Sequence, residues 1–339
     1  MRTENQATQL PDPPFYFPIE NGRYEVKPGL YKFPYDFGQQ LHDSNVFQID
    51  SNFYQYRQTK LASKSESPGK YYCKDKFSSS DESTVNQFVI NKLITEHPFF
   101  FEISSNNTGI SLNCKLTCEI IHFNKQYQLI SHTSQSGNTL AYKDGFDALA
   151  CQVQEDISVL KTNPGGNDKI IALHLCLPNH WSAEDKIGQD FMTTHQPVPH
   201  MEQINRNRHQ LIEAITHKGP FVRFAWGIAT DNRLNHHPNP PPDVPGDQWL
   251  GRSFNPDNPE LYLRVERQTL HAFPQARISL FTIKTYLYDL KDITQSTPNH
   301  ISLLTSAIES MSETSLYYKG LNQSKRDIIT WLTNQFPDN

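Results

Sequence analysis

Residues 261–290, LYLRVERQTLHAFPQARISLFTIKTYLYDL, constrain the fold of this chain more than any other stretch. Two β-rich runs flank a short segment containing Pro274, the pattern of an antiparallel hairpin near the middle of a sheet. Side chains alternate along a strand, so Leu261, Leu263, Val265, Arg267 and Thr269 share a first face, while Tyr262, Arg264, Glu266, Gln268 and Leu270 share the second. Residues two apart lie about 6.8 Å from each other. Arg264, Glu266 and Gln268 therefore form a ladder of charged and hydrogen-bonding groups on one surface. On pattern alone such a ladder is most often a solvated sheet face.

Composition narrows the function classes. Apolar residues make up 36% of the 339, which is low, but 12% aromatic content argues against disorder and for a packed core. A net charge of -5 gives no electrostatic footprint for nucleic acid or an anionic membrane, so neither is expected as a partner. Cys73, Cys114, Cys118, Cys151 and Cys176 form an odd, scattered set without paired CxxC knuckles, which predicts free thiols and a reducing, cytoplasmic setting. Cys114 and Cys118 are expected on one face of a strand. The first residues, MRTENQATQLPDPP, hold no apolar signal segment, and no run approaches the length of a membrane span.

Along the chain, residues 1–44 carry six prolines among aromatics and read as an extended arm, held to the body by Phe15, Tyr16, Phe17, Tyr31 and Phe33. Tyr54, Arg57 and Lys60 have near-helical spacing, and helices are expected over 84–97, 144–160, 182–194, 200–217, 298–311 and 324–334. Strands are expected within 109–130 and over 169–177 and 221–229. The proline-rich segment 235–247 reads as a surface loop. Hairpin-joined strands with helices between them predict an α+β fold with an antiparallel sheet, residues 45–339 forming a single domain.

His195 sits where a helix should end and is followed by Gln196-Pro197-Val198-Pro199, whose prolines stiffen the backbone. A histidine held on stiff chain loses little freedom on becoming a metal ligand, although capping a helix C-terminus is the commoner use. Around it, Lys186, Gly188, Phe191, His195, Pro197, Val198 and Pro199 form a KxGxxF segment followed by HxPVP. With VQED at 153–156, LPxxW at 177–181, RVERQTL at 264–270 and FTIKTY at 281–286, the chain resembles the haem-dependent oxidative N-demethylase family, in the family's motif order from about residue 28 to 290. Thr194 stands at an isoleucine position, Lys284 at an arginine position and Ala225 where asparagine is frequent.

The resemblance implies a PAS-like haem-binding core, b-type haem, and oxidative removal of a methyl group from a small secondary alkylamine, dimethylamine-like, with O2 and electrons from a partner reductase. His195 is then the iron ligand, with His174 and His180 as substitutes. No CxxCH is present, so covalent haem attachment is not expected. Arg223, Arg264 and Arg267 are candidates for the haem propionates, and Glu266, paired with Arg264, for the substrate ammonium. Glu155 and Asp156 fall on the expected 144–160 helix, where Asp156 reads as solvated and Glu155 is open between roles. His236 and His237, adjacent and without a third ligand, receive none. No GxGxxG or Walker loop occurs, so reducing equivalents must arrive from another protein, a separate flavin and iron–sulfur reductase. Two further classes remain open at this point: a non-catalytic PAS-like haem or small-molecule sensor, and a cofactor-free interaction module.

Overall fold

In the computed structural model, which describes residues 9–37, 42–135 and 141–334, the proline-rich arm forms only two-residue strands: β1 (Tyr31–Lys32), β2 (Tyr35–Asp36) and β3 (His42–Asp43). Residues 1–8 and 38–41 of the expected arm lie outside the described residues. Tyr16 and Ile19 are buried, and Tyr16 packs on Phe224 and Tyr286. α1 (Phe53–Glu66) realises the spacing of Tyr54, Arg57 and Lys60, with Lys60 buried. α2 (Pro68–Tyr71) opens on a proline in its first turn, and β4 (Tyr72–Lys74) follows. α3 (Ser79–Glu96) begins one turn before the expected stripe, because Ser78 and Asp81 form a capping box.

β5 (Phe101–Ser105), β6 (Gly109–Cys114), β7 (Glu119–Asn124) and β8 (Leu129–Ser134) make a four-stranded antiparallel sheet. Cys114 ends β6 in the core, whereas Cys118 is exposed in the following turn at φ 55°, so the two thiols share no strand face. The expected 144–160 helix is α4 (Gly145–Ala150), a short connection and β9 (Asp156–Thr162). That stretch is buried almost throughout, and a segment buried on all sides shows no amphipathic period to separate helix from strand.

β10 (Asp168–His174) is followed by short helices where two longer ones were expected: α5 (Ala183–Lys186), α6 (Phe191–His195), α7 (Glu202–Arg206) and α8 (Arg208–His217). β11 (Phe221–Ala229), α9 (Gly246–Trp249), β12 (Tyr262–Phe273) and β13 (Ile278–Asp289) lead into α10 (Leu290–Ser296), α11 (Pro298–Glu309), α12 (Glu313–Lys319) and α13 (Lys325–Asn334). The fold is α+β with antiparallel sheets.

The hairpin is the centre of the seven-stranded sheet β1-β11-β12-β13-β9-β10-β4, with β12 and β13 in register from Tyr262↔Asp289 to Phe273↔Ile278. Its first face carries Leu263 and Val265, packed with Tyr16 and the C-terminal helices, and Leu280 and Ile278, packed with α3 and the four-stranded sheet. Its second face meets α8 through Leu270, Phe281, Ile215 and Leu211. Among the described residues no helix is long and apolar enough to cross a membrane.

Candidate active site

A cavity of about 2090 Å³ lies over the second face of the large sheet. The register decides what points into it. Arg223 pairs with Gln268, Ala225 with Glu266 and Gly227 with Arg264, so both strands present these positions on the same side. Further along, Leu270, Phe281, Ile283 and Leu160 continue the floor as an apolar strip, faced by Leu211 and Ile215 of α8. The cavity therefore has an apolar end and a charged end, built from one alternating pattern.

At the charged end the side chains are linked. Arg223 donates to Gln268 Oε1 at 2.9 Å, and Gln268 Nε2 donates to Glu266 Oε2 at 3.1 Å. Arg264 Nε lies 3.8 Å from Glu266 Oε1, while its terminal nitrogens donate to the carbonyls of Leu177 (2.8 Å) and Leu234 (3.2 Å). Arg264 thus ties two loops to the sheet and aims its Nε at Glu266. Nε of both Arg223 and Arg264 is buried without a hydrogen-bond partner among the described residues. Burial lowers the pKa of both guanidinium groups, and Glu266 opposes that shift.

His195 closes α6, whose N-terminus is capped by Asp190 accepting from the Thr193 N–H. Its Nδ1 lies 2.8 Å from the Phe191 carbonyl, which can only accept, so Nδ1 carries the proton. Capping and ligation are therefore compatible: Nδ1 serves the last helical turn, Nε2 retains its lone pair, and His195 lines the cavity. Burial, with Arg223 and Lys186 nearby, pushes the imidazole down to about 4, so it is neutral near pH 7. A histidine that donates its other N–H to a carbonyl is the arrangement typical of metal-bound imidazole.

Arg267 does not join this group. It lies on the first face, fully buried, with Nε 2.6 Å and Nη2 2.5 Å from the Asp43 carboxylate, and it also donates to the Asn45 and Val46 carbonyls. Strand alternation separates it from Arg264 and Glu266, so its expected place beside the propionates is corrected. Lys284 is likewise on the first face, donating to Asp50 Oδ2 and the Gln48 carbonyl at 2.6 Å, and its departure from arginine touches the core, not the cavity. Ala225 does face the cavity, opposite Glu266.

The remaining expectations divide. His174 is fully buried and lies 3.1 Å from Asp147, within two groups of metal-ligating type, Asp147–Cys151–His174 and Asp156–His174–Cys176, none of which lines the cavity. Lys64 already neutralises Asp147, at 2.7 and 2.8 Å from its oxygens. His180 does line the cavity, at φ 61°, stacked 5.5 Å from His236, which Asp231 holds at 2.7 Å. Burial pushes His180 down to about 2. His236 and His237 are buried, not on a surface loop, and His237 lies 3.3 Å from Glu184. Glu155 and Asp156, expected on a helix with Asp156 solvated, are both fully enclosed: Asp156 accepts the Cys176 and Leu177 N–H groups, and burial raises it to about 6.

Lys319 was not singled out by the sequence. It ends α12, its ammonium donates to the Trp226 carbonyl at 2.8 Å within the same cavity, and burial lowers it to about 8. A lysine before a glycine reads as an ordinary helix terminus, and nothing in sequence links it to a strand more than fifty residues upstream.

The geometry pairs a neutral imidazole lone pair with a large, half-apolar cavity ending in cations around one carboxylate. The family model described as haem-dependent oxidative N-demethylase, alpha subunit-like, matches residues 38–329, a span that includes His195, Arg223, Arg264, Glu266 and Lys319. The chain belongs to the haem-dependent oxidative N-demethylase, alpha subunit-like family.

Proposed function

We propose that this chain binds one non-covalent b-type haem in the cavity, where His195 would hold the iron, and oxidatively demethylates a small secondary alkylamine. The observation that carries this reading is that His195, its Nε2 left with a lone pair by the Nδ1 bond to Phe191, lines a cavity of about 2090 Å³. Ordinary ligand pockets hold about 300–1,000 Å³, so there is room for a macrocycle and a substrate together. Leu160, Leu270, Phe281, Leu211 and Ile215 would meet the apolar faces of the macrocycle. Arg223, whose buried Nε lacks a hydrogen-bond partner among the described residues, suits a propionate. Arg267, neutralised by Asp43 on the opposite face, is left out of the site.

When bound, haem would supply the redox chemistry in which O2, with two electrons from the reductase and two protons, turns the N-methyl group into formaldehyde and releases the demethylated amine and water. The protein's own groups bind and orient. Glu266 offers the carboxylate that balances a substrate ammonium, and Arg264 fixes its position. Electrons come from a separate flavin and iron–sulfur reductase, consistent with a family defined by an alpha subunit. In this reading residues 45–339 act as one haem-binding unit with a PAS-like core, the arm completes the cavity wall through Phe15, Tyr16 and Tyr24, and the five unpaired cysteines belong to a reducing cytoplasm.

The test is reconstitution. Protein produced with ample haem precursor should show a Soret band, and acidified organic solvent should extract the haem. His195→Ala should lose most of the haem with an unchanged circular dichroism spectrum. Absence of a Soret band in the parent protein sinks the proposal; an unchanged haem spectrum in His195→Ala transfers ligation to another residue, with His180 the cavity-lining alternative.

A further inference from the structure

We propose that Lys319 is the resident cation of the amine seat: its ammonium occupies the end of the cavity that also holds Glu266, the expected counter-charge of a substrate ammonium, so amine binding requires Lys319 to release a proton. This rests on the reading of Glu266 as the counter-charge of the amine.

The placement comes from three elements. Gly320, at φ 70°, stops α12 and leaves Lys319 as its last residue, with the side chain reaching to the sheet. Among the described residues β1 covers β11 only at Phe221 and Val222, so the Trp226 carbonyl lies beyond that pairing and accepts from the Lys319 ammonium at 2.8 Å. The neighbouring positions are nearly empty of side chain. Ala225 opposes Glu266, and Gly227 opposes Arg264; a Cβ at Gly227 would lie 3.8 Å from Lys319 Nζ. Tyr24 and Tyr318 turn their rings toward the same ammonium at 5.8 and 5.6 Å. Aromatic faces, a carbonyl and a nearby carboxylate are the surroundings that recognise alkylammonium ligands.

The charges explain why Lys319 must yield. The groups acting on it are Glu266 from β12, which favours its charge, and Arg264 from β12, Arg223 from β11 and Arg252, which oppose it. Three arginines and Lys319 thus lie at this end of the cavity with Glu266 as the carboxylate that acts on the lysine, and an alkylammonium would add a further cation. Arginines keep their protons, so the lysine is the member of the four able to lose its charge. Burial with those neighbours lowers it to about 8, while a free alkylammonium keeps a lysine-like value near about 10.4. The plainer alternative is that Lys319 only caps the Trp226 carbonyl.

The experiment titrates dimethylammonium chloride into the haem-loaded protein, followed by the Soret shift and by calorimetry in buffers of different ionisation heat. Expected for the parent protein is affinity that falls about tenfold for each pH unit below about 8, with one proton released per amine bound. Lys319→Met should bind roughly 30-fold more tightly at pH 6.5, release no proton and show a flat pH profile. Lys319→Arg should bind weakly at every pH. Should the methionine variant fail to fold, Lys319→Gln keeps a donor for Trp226 and carries the same expectation. Equal or weaker amine binding in the uncharged variants, or no proton release in the parent, overturns the role of Lys319. If Glu266→Gln weakens binding while the parent shows no pH dependence, only the lysine inference fails. If the parent gives no Soret shift with amine, or Glu266→Gln binds equally well, the amine seat itself fails and the inference with it.

Discussion

Glu266 is the carboxylate that acts on Arg223, Arg264 and Lys319 together, and its Oε2 accepts from Gln268. Glu266→Gln keeps the shape and one acceptor but removes the charge. Loss of a charge-assisted contact should weaken amine binding by about 1.5–3 kcal/mol, roughly 10- to 150-fold, with haem content unchanged; amine titration of the Soret band measures it, and equal affinity would leave Glu266 as a salt partner of Arg264. This much of the site was legible from alternation, since period two alone put Arg264, Glu266 and Gln268 on one surface. The same alternation put Arg267 on the other face, and the expectation that it met a propionate set aside that geometry in favour of residue type. Lys319 was not legible at all, because its approach depends on how a distant helix packs over the sheet edge.

The β12–β13 hairpin is the element that joins core and cavity, and its buried charges are placed accordingly. Arg267 and Asp43, both fully enclosed, fasten the end of the arm to the first face through the carboxylate and the carbonyls of Asn45 and Val46. Arg267→Met leaves Asp43 buried without a counter-charge, a change that costs about 3–5 kcal/mol in comparable buried pairs. Urea unfolding should show that loss as a lowered midpoint, while reconstituted haem content stays near the parent level, because Arg267 does not line the cavity. A variant that unfolds normally but binds no haem would put Arg267 back in the site. The hairpin was readable because two long β-rich runs flank a proline-marked turn, and α3 because its apolar stripe has helical spacing and Pro98 closes it. β9 was not: Ile157 and Val159 face the core, Asp156 is enclosed by loop amides, and a run buried on both sides carries no period.

For the molecule as a whole, the cavity has walls of unequal strength. Its floor is a seven-stranded sheet whose hairpin buries residues on both faces, but its outer wall is short helices: α6 has half-buried residues but none fully buried, α7 buries only Ile204, and α8 Ile212, Ile215 and Thr216. Segments with so little burial open locally at low free energy, whereas the central strands exchange only through wider unfolding. The candidate ligand His195 is at the end of the weakest of these helices, so a bound macrocycle would gain its contacts by ordering α6 and α7 against the apolar floor. Linkage then gives a definite expectation. A ligand present at 100 times its dissociation constant stabilises the state that binds it by about 2.7 kcal/mol, which corresponds to about 100-fold slower exchange through openings that release it. Hydrogen exchange followed by mass spectrometry should therefore show amides of 191–206 slowed by at least tenfold on haem loading, with those of β12 and β13 changed least, and His195→Ala should remove the difference. Unchanged exchange over 191–206 would mean that haem, if it binds, is not held by this wall.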